Sequence, residues 1–180
     1  MKRRVVITGC GIISSIGNDC EQVLHSLLNS RSGLAAVPEW GELGLKSQVA
    51  GTLEGIDEMA VRQEIGPSSR YMDISALYSV LASREAVRNS GLRDDELASE
   101  RAGCIVGPGF ANSELIVSAG AKLNFRKGRI SPYGVTRCMT SSCAANLTNV
   151  YQIKGRSYSI SSACATALHN IGHAMELIEW

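Results

Sequence analysis

Ser159-Ile160-Ser161-Ser162-Ala163-Cys164-Ala165-Thr166-Ala167 is the stretch on which the reading of this chain turns. Tyr158 and Ile160 alternate with polar neighbours, which predicts a strand over 156–162. The residues from Cys164 onward predict a helix running to the end, with Ser162 placed to cap it. A cysteine therefore stands where a strand turns into a helix. The first N–H groups of a helix lack intrahelical partners, and the helix dipole favours negative charge there. A thiolate at Cys164 is expected to be stabilised, with a lowered pKa and a raised nucleophilicity at neutral pH. The same N–H groups can supply one donor to an oxyanion. Ala163, Ala165 and Ala167 leave room for a substrate beside the sulfur. A buried structural cysteine is the alternative reading of the same residue.

The rest of the chain alternates strand-like and helix-like segments. Val5, Val6 and Ile7 predict a short buried strand over 4–8, broken by Gly9-Cys10-Gly11. Asn18 and Asp19 can cap a helix to about Asn29, with Val23, Leu24, Leu27 and Leu28 on its apolar side. Glycines and Pro67 punctuate 34–69, which reads as loops and short elements. A long, largely buried helix is predicted over 71–89, stopped by Gly91. A second buried strand follows over 102–106, then a helix over 114–123. A further helix over 136–153 carries Met139, Cys143, Leu147 and Val150 on one stripe, with Gly155 as its stop. This alternation predicts an α/β protein with a parallel or mixed sheet and packed helices. No repeat or interdomain linker is visible, so 1–180 reads as one domain.

Composition sets outer limits. The 180 residues, 44% of them hydrophobic, suffice for a packed core and argue against disorder. A net charge of +1 gives no reason to expect nucleic-acid or membrane binding. The basic start ahead of Val5-Val6-Ile7 imitates a signal peptide, but Thr8, Gly9 and Gly11 interrupt the apolar run. No stretch is long and apolar enough to predict a membrane span. The cysteines at 10, 20, 104, 138, 143 and 164 form no C-x-x-C pair, and most read as small buried apolar residues in a reducing, cytoplasmic setting.

Gly9-Cys10-Gly11-Ile12-Ile13-Ser14 narrowly misses a dinucleotide fingerprint, because Ser14 replaces the third glycine. A turn with positive φ is the preferred explanation. His169 and His173 lie four apart and share a helix face, a spacing able to ligate a metal. No third ligand is obvious, so packing or hydrogen bonding is preferred, and neither metal nor cofactor is expected. His25 reads as a surface residue.

Several segments together resemble the β-ketoacyl-ACP synthases I and II, condensing enzymes of thiolase-like fold. Ser161-Ser162-Ala163-Cys164-Ala165-Thr166 is similar to the family's nucleophile motif. Val5 to Gly17 resembles its opening strand and glycine turn. Arg70-Tyr71-Met72-Asp73, Ser131-Pro132-Tyr133 and His169-Asn170-Ile171-Gly172-His173-Ala174 also match, in family order. The resemblance implies the N-terminal half of that fold, incomplete here. It implies Cys164 as the acyl acceptor, taking a chain from acyl carrier protein before a Claisen condensation with malonyl-ACP. The family's malonyl-binding histidines, a lysine and a second oxyanion donor belong to its C-terminal half and are absent from this chain.

Further implications follow from the same resemblance. Phe110 falls near the family's acyl pocket, and Tyr133 on a segment that reaches a partner's pocket. Either aromatic could bind substrate, with a core role open for Phe110. Arg70, Arg126, Lys127 and Arg129 could dock the acidic carrier protein, against the alternative of a solvated loop. A homodimer is expected, joined through the strand before Cys164, or else a complementing C-terminal half. A non-catalytic partner subunit or a vestigial fragment are the alternatives to an enzyme, and the intact Cys164 argues against the first.

Overall fold

The computed structural model describes residues 3–110, 112–125 and 128–180. Its elements are α1 (Cys20–Leu28), β1 (Leu34–Ala36), α2 (Glu39–Glu42), β2 (Val49–Gly51), α3 (Glu58–Ile65), α4 (Ile74–Ser90), α5 (Asp94–Leu97), β3 (Cys104–Ile105), α6 (Ser113–Asn124), α7 (Gly134–Cys138), α8 (Ser142–Tyr151), β4 (Ser157–Tyr158) and α9 (Thr166–Glu179). Short 3₁₀ turns over Gly66–Tyr71 and Ala163–Ala165 lead into α4 and α9. Two compact units emerge. The first comprises Met1–Ile7, Glu58–Val80 and Leu92–Trp180, and the second Thr8–Asp57 and Leu81–Gly91.

The first unit is built on the start of α4. Met72, Ala76, Leu77 and Val80 recur at helical spacing and are fully buried. Cys143, Ala144 and Leu147 of α8 and Cys104 of β3 complete this core, with Val61, Val106 and Val150 packed around it. Asp73 caps α4 by accepting the Ala76 N–H at 2.9 Å. Its second oxygen accepts a hydrogen bond from Asn112, which itself caps α6 through the Leu115 N–H. β3 and β4 pair in parallel, with Cys104 opposite Ser157 and Ile105 opposite Tyr158.

The second unit holds α1 and the antiparallel pair β1–β2. Asp19 caps α1 as its sequence predicts, accepting the Gln22 N–H at 2.7 Å. Gly9 and Gly11 lie against the C-terminal half of α4. A Cβ at Gly11 would sit 1.9 Å from the Ala82 carbonyl oxygen, and one at Gly9 would sit 2.1 Å from that of Ala86.

Several expectations need correction. Residues 4–8 form no strand, and Val6 and Ile7 are 62% and 82% exposed. An apolar run becomes a strand only with a neighbour to complete its ladder, and no described strand lies beside this one. Gly9 and Gly11 do not have positive φ, and the close helix backbone is what requires them. Leu24, Leu27 and Leu28 of α1 are exposed rather than buried. The segment 34–69 does hold loops and short elements, the longest of them the eight-residue α3. The long helix starts at Ile74, after the 3₁₀ turn, and Gly91 ends it with φ +72° as expected. The helix read over 136–153 is split. Met139 turns extended between α7 and α8, and the Ser142 N–H bonds the Met139 carbonyl where the second helix opens. Only Cys104 and Cys143 of the six cysteines are buried. The strands read over 102–106 and 156–162 shrink to two paired residues each.

Candidate active site

The turn carrying Cys164 is assembled from the ends of β3 and β4. Beyond the ladder, Ser159 Oγ donates to the Val106 carbonyl at 2.6 Å, and Ser161 Oγ to that of Pro108 at 3.4 Å. Gly107 lies so close that a Cβ there would meet the Ile160 oxygen at 2.8 Å. Gly109 approaches the Ala163 oxygen in the same way, at 3.1 Å. The loop 107–109 and the segment 159–163 therefore run as a packed pair.

Asn170 takes over where the ladder stops. Its Oδ1 accepts the Ile160 N–H at 3.2 Å, and its Nδ2 donates to the Ile160 and Thr166 carbonyls at 2.9 and 2.7 Å. One buried amide thus satisfies both backbone groups of Ile160, as a neighbouring strand would. Thr166, also buried, accepts the Ser162 N–H at 2.8 Å with its hydroxyl.

Ala163 has φ +51°, in the left-handed region that residues other than glycine seldom occupy. That kink turns the chain from Ser162 into the 3₁₀ turn and leaves Cys164 exposed at its middle. Ser162 does not cap the helix through its side chain. Its hydroxyl is hydrogen-bonded instead to Nδ1 of His169 at 2.5 Å, which holds both ends of the turn. The Ala165 N–H bonds the Ser162 carbonyl, and the Thr166 N–H that of Ala163.

His173 has different company. Its Nε2 is 2.6 Å from the Tyr158 hydroxyl, and its Nδ1 3.4 Å from Glu176. Both histidines of the four-apart pair are hydrogen-bonded, as preferred from the sequence. Among the described residues no cluster of three or more His, Cys, Asp or Glu side chains could hold a metal ion.

The other residues singled out in the sequence fall into two groups. Tyr133 is half-buried ahead of α7, with its ring edge-on to Tyr71 at 5.0 Å. Arg70 lies over the Tyr71 ring at 5.6 Å, and its carbonyl accepts two hydrogen bonds from the Arg137 guanidinium. Arg70, Tyr71, Tyr133 and Arg137 thus form one cluster. Phe110 is 77% exposed in this chain, and it follows directly on Gly109 beside the Cys164 turn. Arg129 is exposed. Arg126 and Lys127 lie outside the described residues. An apolar cleft of ≈ 540 Å³ opens between α6 and α7, lined in part by Leu115, Ile116, Val135 and Met139. Its lining includes neither Cys164, Phe110 nor Tyr133.

Sequence reasoning missed Asn170, Thr166 and the Ser162–His169 bond. The signal was present. Ser162, Thr166 and Asn170 recur every four residues, a polar stripe on the helix side that faces its own strand.

Residues 2–179 match the family model described as the β-ketoacyl synthase N-terminal domain. The chain is 42% identical, over 98% of its length, to 3-oxoacyl-acyl-carrier-protein synthase 1 of Haemophilus influenzae, and covers 43% of that protein. The crystal structure of a β-ketoacyl synthase from Burkholderia phymatum superposes with a TM-score of 0.84 at 27% identity, over 99% of this chain and 44% of that one. A ketosynthase bound to a hexaketide, in complex with a type II polyketide acyl carrier protein, shares the fold with a TM-score of 0.77 at 23% identity, over 99% of this chain and 48% of that one. The chain therefore spans less than half the length of the relatives it matches. No helix among the described residues is long and apolar enough to cross a membrane.

Proposed function

This chain belongs to the β-ketoacyl synthase family, and on that premise we propose that it is the acyl-accepting part of a 3-oxoacyl-ACP synthase. The observation that carries this reading is the exposed Cys164 on a left-handed turn at the entrance to α9. The thiolate of Cys164 attacks the thioester carbonyl of an acyl carrier protein. A carbon–sulfur bond forms, the carrier thiol leaves, and the chain is held as a thioester. The backbone N–H of Cys164, which neither hydrogen bond of the turn uses, supplies one donor to the oxyanion that forms on the way. A thiolate is also a good leaving group for the second half-reaction, when the carbanion from decarboxylated malonyl-ACP attacks.

The length of the relatives beyond this chain supplies the remaining groups in this reading, so 1–180 is a domain of a larger active unit. Condensation needs that part in the same protein or as a second chain. Phe110, beside the Cys164 turn, limits the acyl chain, and Tyr133 contributes to a substrate pocket at a subunit boundary. Arg70 and Arg129, with Arg126 and Lys127 outside the described residues, are the cations assigned here to docking the acidic carrier protein, a partner that the polyketide ketosynthase also has. Among the described residues β4 pairs with β3 alone, which supports a second copy pairing along 156–161 in a homodimer. The protein works in a reducing, cytoplasmic compartment.

The test is to mix the chain with the C-terminal part of a 3-oxoacyl-ACP synthase expressed separately, then add acyl-ACP and malonyl-ACP. Release of carbon dioxide with formation of 3-oxoacyl-ACP, lost with Cys164→Ala, is the expected result. A soluble complex of the two parts that forms no product would overturn the reading of this chain as one part of a synthase.

A further inference from the structure

Far along the chain from Cys164, Cys10 and Cys20 lie with their sulfurs 3.5 Å apart. Neither is in a disulfide. Both belong to the second unit, Cys10 exposed in its glycine turn and Cys20 as the first residue of α1. The residues around them hold the two backbones in register. Glu85 of α4 accepts the Cys20 N–H at 2.8 Å with one carboxylate oxygen and the Ile12 N–H at 3.2 Å with the other. Asn89 donates to the Cys10 carbonyl at 3.0 Å. Gly9 and Gly11, on either side of Cys10, are pressed against the α4 backbone. A disulfide bond is about 2 Å long, so the sulfurs need to close by about 1.5 Å.

The two thiols are not equivalent. The hydrogen bond with Cys10, then burial and Glu85, push the Cys20 thiol up to about 11. The Glu85 carboxylate also occupies the end of α1 where a thiolate would otherwise gain from the helix N–H groups. Cys20 therefore keeps its proton, and the exposed Cys10 is the sulfur that meets a reagent from solution.

We propose that Cys10 and Cys20 form a reversible oxidation site that exchanges with small-molecule disulfides. Cys10, as its thiolate, attacks one sulfur of the reagent. A mixed disulfide forms, the reagent's S–S bond breaks, and one thiol is released carrying the proton from Cys10. Cys20 then attacks the Cys10 sulfur, and its proton leaves on the second released thiol. The protein loses two hydrogens and the reagent disulfide becomes two thiols. In a reducing compartment such a bond is transient, as redox-sensing disulfides are.

The experiment equilibrates the whole chain in glutathione buffers of graded ratio, quenches in acid, alkylates the remaining thiols and maps the peptides by mass. The expected product links Cys10 to Cys20, is lighter by two hydrogens and reverts with excess reduced glutathione. It should form at least about tenfold more favourably in the folded chain than in denaturing urea, because folding supplies the proximity. Cys20→Ser should stop at a glutathione adduct on Cys10. A wild-type chain that ends with glutathione on Cys10 and a free Cys20, or that links the pair no better folded than in urea, would overturn the proposal.

Discussion

The hydroxyl of Ser162 and Nδ1 of His169 are 2.5 Å apart, a hydrogen bond that reaches across seven residues and closes the turn presenting Cys164. Ser162→Ala and His169→Ala should each lower stability by about 1 kcal/mol, the net worth of one hydrogen bond. The double variant should cost little more than either single one, because both remove the same interaction. Urea unfolding of the four proteins checks this, and fully additive losses would show that the pair does not act as a unit.

Asn170 offers a sharper case. Replacing it with Ala leaves the Ile160 N–H and carbonyl without their partner, and should cost about 2 kcal/mol or more. Asn170→Asp keeps the acceptor for Ile160 but sets a negative charge against two carbonyl oxygens. It should therefore be no better than Ala at neutral pH, and a stability equal to wild type would contradict the bonding described.

Asp19 as the cap of α1 and Gly91 as the stop of α4 were legible, because each acts within a few residues of itself. So was Cys164 at a strand-to-helix turn, since the pattern change on either side is local. The exposure of Val6 and Ile7 was not legible, because a strand depends on a distant neighbour that residues 4–8 cannot specify. Asn170 standing in for a strand was hidden for the same reason, as its role depends on Ile160 ten residues away.

Two glycines should respond in opposite senses to the same substitution. Gly11→Ala forces a methyl group to within 1.9 Å of the Ala82 oxygen, and the strain should cost about 2 kcal/mol or more. Gly172 lies inside α9 with nothing within 4 Å of the added Cβ. Gly172→Ala should be stabilising by about 0.5–1 kcal/mol, since alanine loses less backbone entropy in a helix. Thermal or urea unfolding of both variants would decide it.

Burial raises the thiols of Cys104 and Cys143 above their ordinary value of 9.0. The folded protein therefore holds their protons at a pH where the unfolded chain releases them. Their contribution to stability is complete below pH 9.0 and is lost as pH rises through the higher native values. Stability to urea should fall between pH 8 and 10 by more in wild type than in a Cys104→Ala, Cys143→Ala double variant. Native alkylation at pH 8 should spare both residues while labelling Cys164.

The most direct measurement is acyl transfer to Cys164 itself. The chain is incubated with acyl-ACP, with and without the C-terminal part of a synthase, then digested and searched by mass for the acylated peptide. An acyl group on the peptide carrying Cys164, removed by hydroxylamine and absent from Cys164→Ala, is the result predicted. A folded chain that takes no acyl group under either condition, or takes it equally well after Cys164→Ala, would contradict the assignment of Cys164 as the acyl acceptor.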